Sequence, residues 1–276
     1  MGITAPKNLV LFWHNSNHIN VTGMRSPKDK YNSKSQIADT DYEEKIRQSF
    51  AYYSDKWDNE NLTSHYKIKR QWLLNTIQEL YQKTQQKNFN LKILDAGCGN
   101  GLYLIDIVEA LENIYSVDGV GVDLTEEMID ISRKRSQYLK GKYEWIQIDL
   151  ENDDYKSKLG EDQFDIIIMN GVVCYFNNIP KVLKSLKTLL KQDGKLIIIH
   201  HNPKNLTNLV LRIQSLLESE FIWFRNPSEK EITTYAETEG YLLNKSQVLP
   251  CGGIPYFFYS VGKIFWDGYG LVFTLK

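Results

Sequence analysis

The feature that most constrains this chain is a seven-residue turn, Asp95-Ala96-Gly97-Cys98-Gly99-Asn100-Gly101, set between two segments of different period. Before it, Lys92-Ile93-Leu94-Asp95 reads as a short strand, and after it Leu102 to Glu112 reads as an amphipathic helix. Three glycines at alternate positions let the backbone pass close to a ligand. The helix that follows presents N–H groups with no intrahelical partner. Downstream the pattern repeats. Val120–Asp123 is a strand, then Glu126 to Leu139 a helix with Thr125 as its N-cap and two glutamates at its positive end. Tyr143–Asp149 and Phe164–Met169 are strands, and Ile166-Ile167-Ile168 implies burial on both faces. Ile179–Lys191 is a helix stopped by Asp193-Gly194, and Lys195–Ile199 is a fifth strand. Ser228-x-x-Glu231 is a capping box for a helix ending near Gly240, and Tyr241–Leu249 and Leu271–Leu275 close the set. The expected fold is α/β, a doubly wound, mostly parallel, Rossmann-like sheet of seven strands.

Composition narrows the class. The 276 residues are 42% hydrophobic, enough to close one full core. Lys plus Arg (33) nearly cancels Asp plus Glu (34), a balance that disfavours a dedicated nucleic-acid or polybasic membrane protein. No apolar run approaches the ~18 residues that span a bilayer, and Leu9–Trp13 is short for a signal peptide. Three scattered cysteines, Cys98, Cys174 and Cys251, suit a reduced, cytoplasmic chain without a disulfide framework or zinc spacing. Residues 1–40 read as a flexible arm. Residues 41–90 are helical, with Tyr42, Ile46, Phe50 and Tyr53 in one periodic row and Trp72, Leu73, Ile77, Leu80 and Tyr81 in a second. Residues 91–276 form the core, with an inserted amphipathic segment at about 203–225, including Leu206–Leu217.

Ligands of an open parallel sheet bind at the carboxyl ends of its strands. There the chain places Asp95, Asp123 and Asp149, one after each of the first three strands. A dinucleotide fingerprint reads G-x-G-x-x-G, whereas here the third glycine arrives one residue early. Asp95, two residues before the first glycine, suits a cationic amino group better than a pyrophosphate. The pattern therefore favours a nucleoside that carries an amino acid.

The stretch Ile93-Leu94-Asp95-Ala96-Gly97-Cys98-Gly99-Asn100-Gly101 resembles the first motif of class I S-adenosylmethionine-dependent methyltransferases. Gly121-Val122-Asp123-Leu124, Gln147-Ile148-Asp149-Leu150, Phe164-Asp165-Ile166-Ile167 and Leu189–Leu196 resemble the later motifs, in order. The chain resembles the small-molecule, ubiquinone- and menaquinone-type branch, which implies an N-terminal helical lid and an insertion after the fifth strand. The cofactor it implies is S-adenosylmethionine, with S-adenosylhomocysteine as product and no metal. By the same resemblance Gly97, Cys98, Gly99 and Gly101 line the methionine and ribose, and Asp95 fixes the amino group. Asp123 grips the ribose hydroxyls with Leu124 against the adenine. Asp149 and Leu150 meet the adenine amine, and Met128 covers the ring. Asn170 and Gly171 stand beside the methyl group. Tyr53, Trp57 and Arg70 match lid positions, with Arg70 as partner of the methionine carboxylate.

The implied reaction is in-line displacement at a sulfonium methyl, for which the protein supplies alignment and removal of water. Asn170-Gly171-Val172-Val173 lacks the Asn/Asp-Pro-Pro-aromatic sequence of enzymes that methylate amides or adenine amines. The expected acceptor is an oxygen or nitrogen of a small molecule. His200 and His201 end the fifth strand on opposite faces, so one of them is a candidate base or substrate anchor, and Tyr175 is a candidate substrate contact. Two alternatives remain at this point. The basic–aromatic row His65–Trp72 raises methylation of RNA, and an intact cofactor motif also suits a partner protein that binds without catalysis.

Overall fold

The computed structural model describes residues 64–82, 89–152, 154–160, 163–203, 226–250 and 266–276. The first periodic row, the segment 206–217 and the candidates Tyr53 and Trp57 lie outside the described residues. In chain order the elements are α1 (Ser64–Tyr81), β1 (Asn90–Ala96), α2 (Leu102–Leu111), β2 (Ser116–Asp123), α3 (Glu126–Ser136), β3 (Lys142–Gln147) and α4 (Tyr155–Leu159). Then follow β4 (Phe164–Asn170), a 3-10 turn (Val173–Tyr175), α5 (Ile179–Leu189), β5 (Leu190–His201), α6 (Glu229–Thr238), β6 (Tyr241–Pro250) and β7 (Trp266–Leu275). No helix among the described residues is long and apolar enough to cross a membrane.

The seven strands form one sheet in the order β3-β2-β1-β4-β5-β7-β6. The pairings of β1, β2, β3, β4 and β5 are parallel, and β7 runs antiparallel to both β5 and β6. Strand order reverses between β1 and β4, which sets the crevice where a ligand of such a sheet binds. Alternation along the strands divides the apolar residues between two faces. Ile93, Ile166, Ile168, Ile197 and Ile199 pack with α1, α2 and α3 through Leu73, Ile77, Leu104, Ile107 and Ile129. Leu94, Ile167, Leu196 and Ile198 pack with α5 and α6 through Val182, Leu183, Leu186, Ile232 and Ala236. Burial on both faces is what the unbroken apolar text of β4 requires, and Phe164 to Met169 are all buried.

Local signals explain most boundaries. The Ser228 hydroxyl accepts from the Glu231 N–H while the Glu231 carboxylate accepts from the Ser228 N–H, the full capping box. Asn178 caps α5 by accepting from the Lys181 N–H, with a proline in the first turn. Two expectations are corrected. Thr125 occupies the N-cap position of α3, but its hydroxyl donates to Asp123 Oδ1 (2.9 Å) and makes no cap bond. α5 stops at Leu189 instead of continuing to Lys191, because Leu190 pairs with Phe164 in the sheet and Lys191 Nζ donates to both carboxylate oxygens of Asp165, each at 2.9 Å. Tertiary pairing outweighs the glycine stop signal there.

α1 is seated on the sheet by one close approach. A methyl group at Gly270 of β7 would lie 2.3 Å from the Trp72 ring, and the Trp72 indole N–H donates to Gln247 Oε1 on β6 (3.0 Å). Gly270→Ala is therefore expected to lower stability by about 1–3 kcal/mol through overpacking. Urea unfolding with an unchanged midpoint would show that the ring does not rest there.

Candidate cofactor site

The site is built at the carboxyl ends of β1, β2 and β4. As β1 ends, the chain turns through Gly97 (φ 87°), Gly99 (φ 52°) and Gly101 (φ 76°), all in the left-handed region that favours glycine. Space requires glycine as well at two of them. A Cβ on Gly97 would stand 2.4 Å from a methyl of Val172, and one on Gly101 2.6 Å from Ser132 Oγ and from the Trp145 ring. The turn is stitched to β2: the Val122 carbonyl accepts from the N–H groups of Gly97 (2.8 Å) and Cys98 (2.9 Å), and Asp123 Oδ2 accepts from the Gly99 N–H (2.9 Å). Asp123 Oδ1 accepts from the backbone N–H and hydroxyl of Thr125 (3.0 and 2.9 Å). Its pKa is nonetheless raised, burial outweighing those hydrogen bonds.

Asp95 is the outlier. It is 1% exposed, and its Oδ1 is buried with no hydrogen-bond partner. Burial, and secondly the nearby Asp123 carboxylate, pushes its pKa up to about 7. An orphaned, buried carboxylate oxygen beside a second carboxylate is a place made for a cation. The donor set fits an amino-acid nucleoside: a carboxylate for the amino group, glycine backbone along its length, and Asp123 at the end of β2. Among the described residues no group of three or more His, Cys, Asp or Glu side chains is disposed to hold a metal ion.

The other candidates fall around this turn in different ways. Cys98 is buried, its thiol pushed well up by burial. Leu124 is half-buried and its carbonyl accepts from Gln147 Nε2 (3.0 Å). Met128 is wholly enclosed, and the Leu150 carbonyl accepts from the Tyr155 hydroxyl. Asp149 accepts from the Glu151 N–H (2.8 Å) and from Asn152 Nδ2 (3.0 Å), forming the turn after β3. Asn170 ends β4, and Gly171 (φ 71°) faces open space where a side chain would be. Arg70 lies on α1 with its Nε donating to Asp106 Oδ2 of α2 (2.5 Å), an oxygen that also accepts from the Tyr66 hydroxyl (2.9 Å).

At the end of β5, His200 and His201 pair with Tyr269 and Gly268 and turn to opposite faces. His201 is half-buried; His200 is fully buried, and neither of its ring nitrogens has a partner. Burial, then the Lys69 charge, pushes the His200 pKa down to about 3, so the ring is neutral over the working range. Tyr175 is half-buried in the 3-10 turn beside Cys174, whose thiol burial pushes up to about 12. Lys69 is the residue that sequence reasoning passed over. It is 4% exposed, and its charge reaches both His200 and Cys174. Its signal was its phase, on the buried stripe of α1 with Tyr66, Leu73 and Ile77.

A family model described as a methyltransferase domain matches residues 87–240, more than half of the chain. The chain belongs to this family, the class I S-adenosylmethionine-dependent methyltransferases. The methyltransferase domain is 28% identical over 126 residues to a ubiquinone biosynthesis O-methyltransferase of Actinobacillus pleuropneumoniae, covering 45% of this chain and 52% of the relative. It is 29% identical over 126 residues to a malonyl-[acyl-carrier protein] O-methyltransferase of Bacillus cereus, covering 45% and 41%. The chain thus spans about half the length of these curated relatives. Its fold matches that of magnesium protoporphyrin IX methyltransferase from Synechocystis with bound S-adenosylhomocysteine, with a TM-score of 0.60 and 16% identity over 84% of this chain and 98% of the other.

The raised Asp95 pKa makes a signed prediction for this domain. In the free protein the protonated carboxyl is favoured; its contribution to stability is complete below the ordinary carboxylate value of 3.8 and is lost as pH rises through about 7. A bound ammonium favours the carboxylate. Binding of S-adenosylhomocysteine below about pH 7 is therefore expected to release a proton, with affinity increasing as pH rises to that point. Calorimetry in buffers of different ionisation heat measures the proton. Asp95→Asn should abolish the release and weaken binding by about tenfold or more. Equal affinity and no proton release on either side of neutrality would remove Asp95 from the amino-group role.

Proposed function

We propose that this methyltransferase domain transfers the methyl group of S-adenosylmethionine to an oxygen or nitrogen of a small-molecule acceptor by in-line displacement. The observation that carries the cofactor assignment is the orphaned Asp95 Oδ1 at the mouth of the glycine turn. When bound, S-adenosylmethionine supplies an activated sulfonium methyl. The chain's own work is to hold and orient it. Asp95 takes the amino group, Gly97, Cys98, Gly99 and Gly101 line the methionine and ribose, and Asp123 keeps lone pairs for the ribose hydroxyls beyond those engaged with Gly99 and Thr125. Leu124, Met128, Asp149 and Leu150 form the adenine end, with Tyr53, Trp57 and Arg70 assigned to the cofactor's outer side.

The acceptor belongs at the lip of β4 and β5. Asn170 and Gly171 leave room there, and one of His200 and His201, which turn to opposite faces, would border it with Tyr175. With both ring nitrogens unpartnered, His200 is suited to hydrogen-bond the acceptor as a neutral ring. A group whose pKa lies at about 3 is a weak proton abstractor, so the reading favours anchoring over base catalysis. The names of the two O-methyltransferase relatives support an oxygen acceptor. In the basic–aromatic row that suggested RNA, the two aromatic residues Tyr66 and Trp72 are buried together with Lys69, while Lys67 and Gln71 are exposed; burial of both aromatic rings weighs against a stacking platform.

Incubating the protein with methyl-labelled S-adenosylmethionine and an extract of its host tests the function. Label is expected in the small-molecule fraction with stoichiometric S-adenosylhomocysteine. Label in RNA would overturn the acceptor class, and cofactor binding without turnover would identify a non-catalytic partner. For His200, replacement by Ala is expected to lower turnover by about tenfold, the loss of one or two hydrogen bonds, with cofactor affinity unchanged. A wild-type rate falling as His200 protonates near pH 6.5, its unperturbed value, would contradict the neutral-anchor role.

A further inference from the structure

The glycine turn is held from above by β2, but it is also supported from beneath. Trp145 of β3 inserts its ring between two glycines. A Cβ on Gly101 would lie 2.6 Å from Trp145 Cη2, and one on Gly121 would lie 2.3 Å from Trp145 Cζ3. The indole is fixed in turn. It stacks on Tyr143, with centroids 6.0 Å apart and planes within 7°, and the Tyr143 hydroxyl donates to Glu109 of α2 (2.8 Å). Its N–H donates to Ser136 Oγ (2.9 Å), and the Ser136 hydroxyl donates to the Ser132 carbonyl (3.0 Å). One helical turn closer to the site, the Ser132 hydroxyl stands 3.2 Å from the Gly99 carbonyl and 2.9 Å from the Met128 carbonyl and shares its proton between them. Gly99 is thereby gripped at both ends of the residue, its N–H by Asp123 and its carbonyl by Ser132. Arg135 Nη1 adds a bond to the carbonyl of Asn100, the next residue (3.2 Å).

We propose that Trp145 and Ser132 are positioning residues for the cofactor: they fix the 97–101 turn in its ligand-ready shape through the Gly101 contact and the Gly99 carbonyl. Neither residue touches the ligand. Both ring and hydroxyl are buried, so they act only through the backbone they hold. A turn with three left-handed glycines is entropically costly to order, and support of this kind removes that cost from binding. The Ser132 hydroxyl lies closer to the Gly99 carbonyl than does the Cys98 thiol, which also donates to it at 3.5 Å.

The inference rests on the cofactor reading above, and its test separates the two. Calorimetric affinity for S-adenosylhomocysteine and the melting temperature of the free protein are measured for wild type, Ser132→Ala, Trp145→Phe and Ile77→Val. The last is a core change on α1, away from the turn. Ser132→Ala is expected to weaken binding about three- to tenfold, the value of one hydrogen bond, with little change in melting temperature. Trp145→Phe should weaken it at least as much, and beyond any effect of Ile77→Val at matched loss of stability. Affinity within about twofold of wild type in Ser132→Ala and Trp145→Phe would overturn the positioning role while leaving the cofactor reading intact. A well-folded wild type that binds no S-adenosylhomocysteine would overturn both.

Discussion

A carboxylate held out of water next to another carboxylate sets the terms for this molecule. Asp95 ends β1 and Asp123 ends β2, neighbouring parallel strands, and the turn that joins β1 to α2 folds over both. Without a ligand the arrangement is unfavourable, because burial and the second charge both oppose ionisation of Asp95. Asp123 relieves its own charge with N–H groups from Gly99 and Thr125. Asp95 has no such relief at Oδ1, and a cation would supply it. A cation bound there would thus offset part of the cost of burying Asp95 as a carboxylate.

The rest of the fold keeps that geometry from relaxing. Apolar residues on both faces of β1 and β4 fix the sheet between two helical layers, so the strand ends cannot separate to hydrate Asp95. The Val122 carbonyl ties down two consecutive N–H groups of the turn. Trp145 fills the space that the glycines leave. The turn is therefore flexible by composition and rigid by context, the combination that preorganised binding requires.

Period and punctuation made most of this fold legible in advance. The seven strands, the helices expected at 102–112, 126–139, 179–191 and from Ser228 to near Gly240, and the capping box at Ser228 followed from local chemistry, with the second and third helices ending at Ser136 and Leu189 in the structure. What was not legible depended on partners distant in sequence. Thr125 looks like a cap until Asp123 competes for its hydroxyl, and Lys191 looks helical until Asp165 draws it to the sheet. The short α4 and the 3-10 turn after β4 carry no periodic signal of their own. Within the site, the glycines and strand-end aspartates were legible because backbone conformation and strand direction fix them. The roles of Trp145 and Ser132 were not, since a tryptophan in a strand and a serine in a helix read as ordinary core and surface until their atoms meet Gly101 and Gly99.

Two adjacent basic residues on α1 show the limit most clearly. Arg70 is expected as a carboxylate partner, and in the structure its Nε donates to Asp106, where the Tyr66 hydroxyl also donates. That pair is about one-third exposed, a position at which an ion pair contributes ~1 kcal/mol or less. Its geometric effect exceeds its energetic one, because Asp106 lies in α2 directly after the glycine turn and so joins that helix to α1. Lys69, one residue earlier, falls on the inward stripe, and its charge reaches His200 at the end of β5 and Cys174 in the 3-10 turn after β4. A rotation of about 100° per residue decides which of the two neighbours enters the core. Arg70 therefore ties the two helices together at the surface, while the Lys69 charge adds to burial in lowering the His200 pKa.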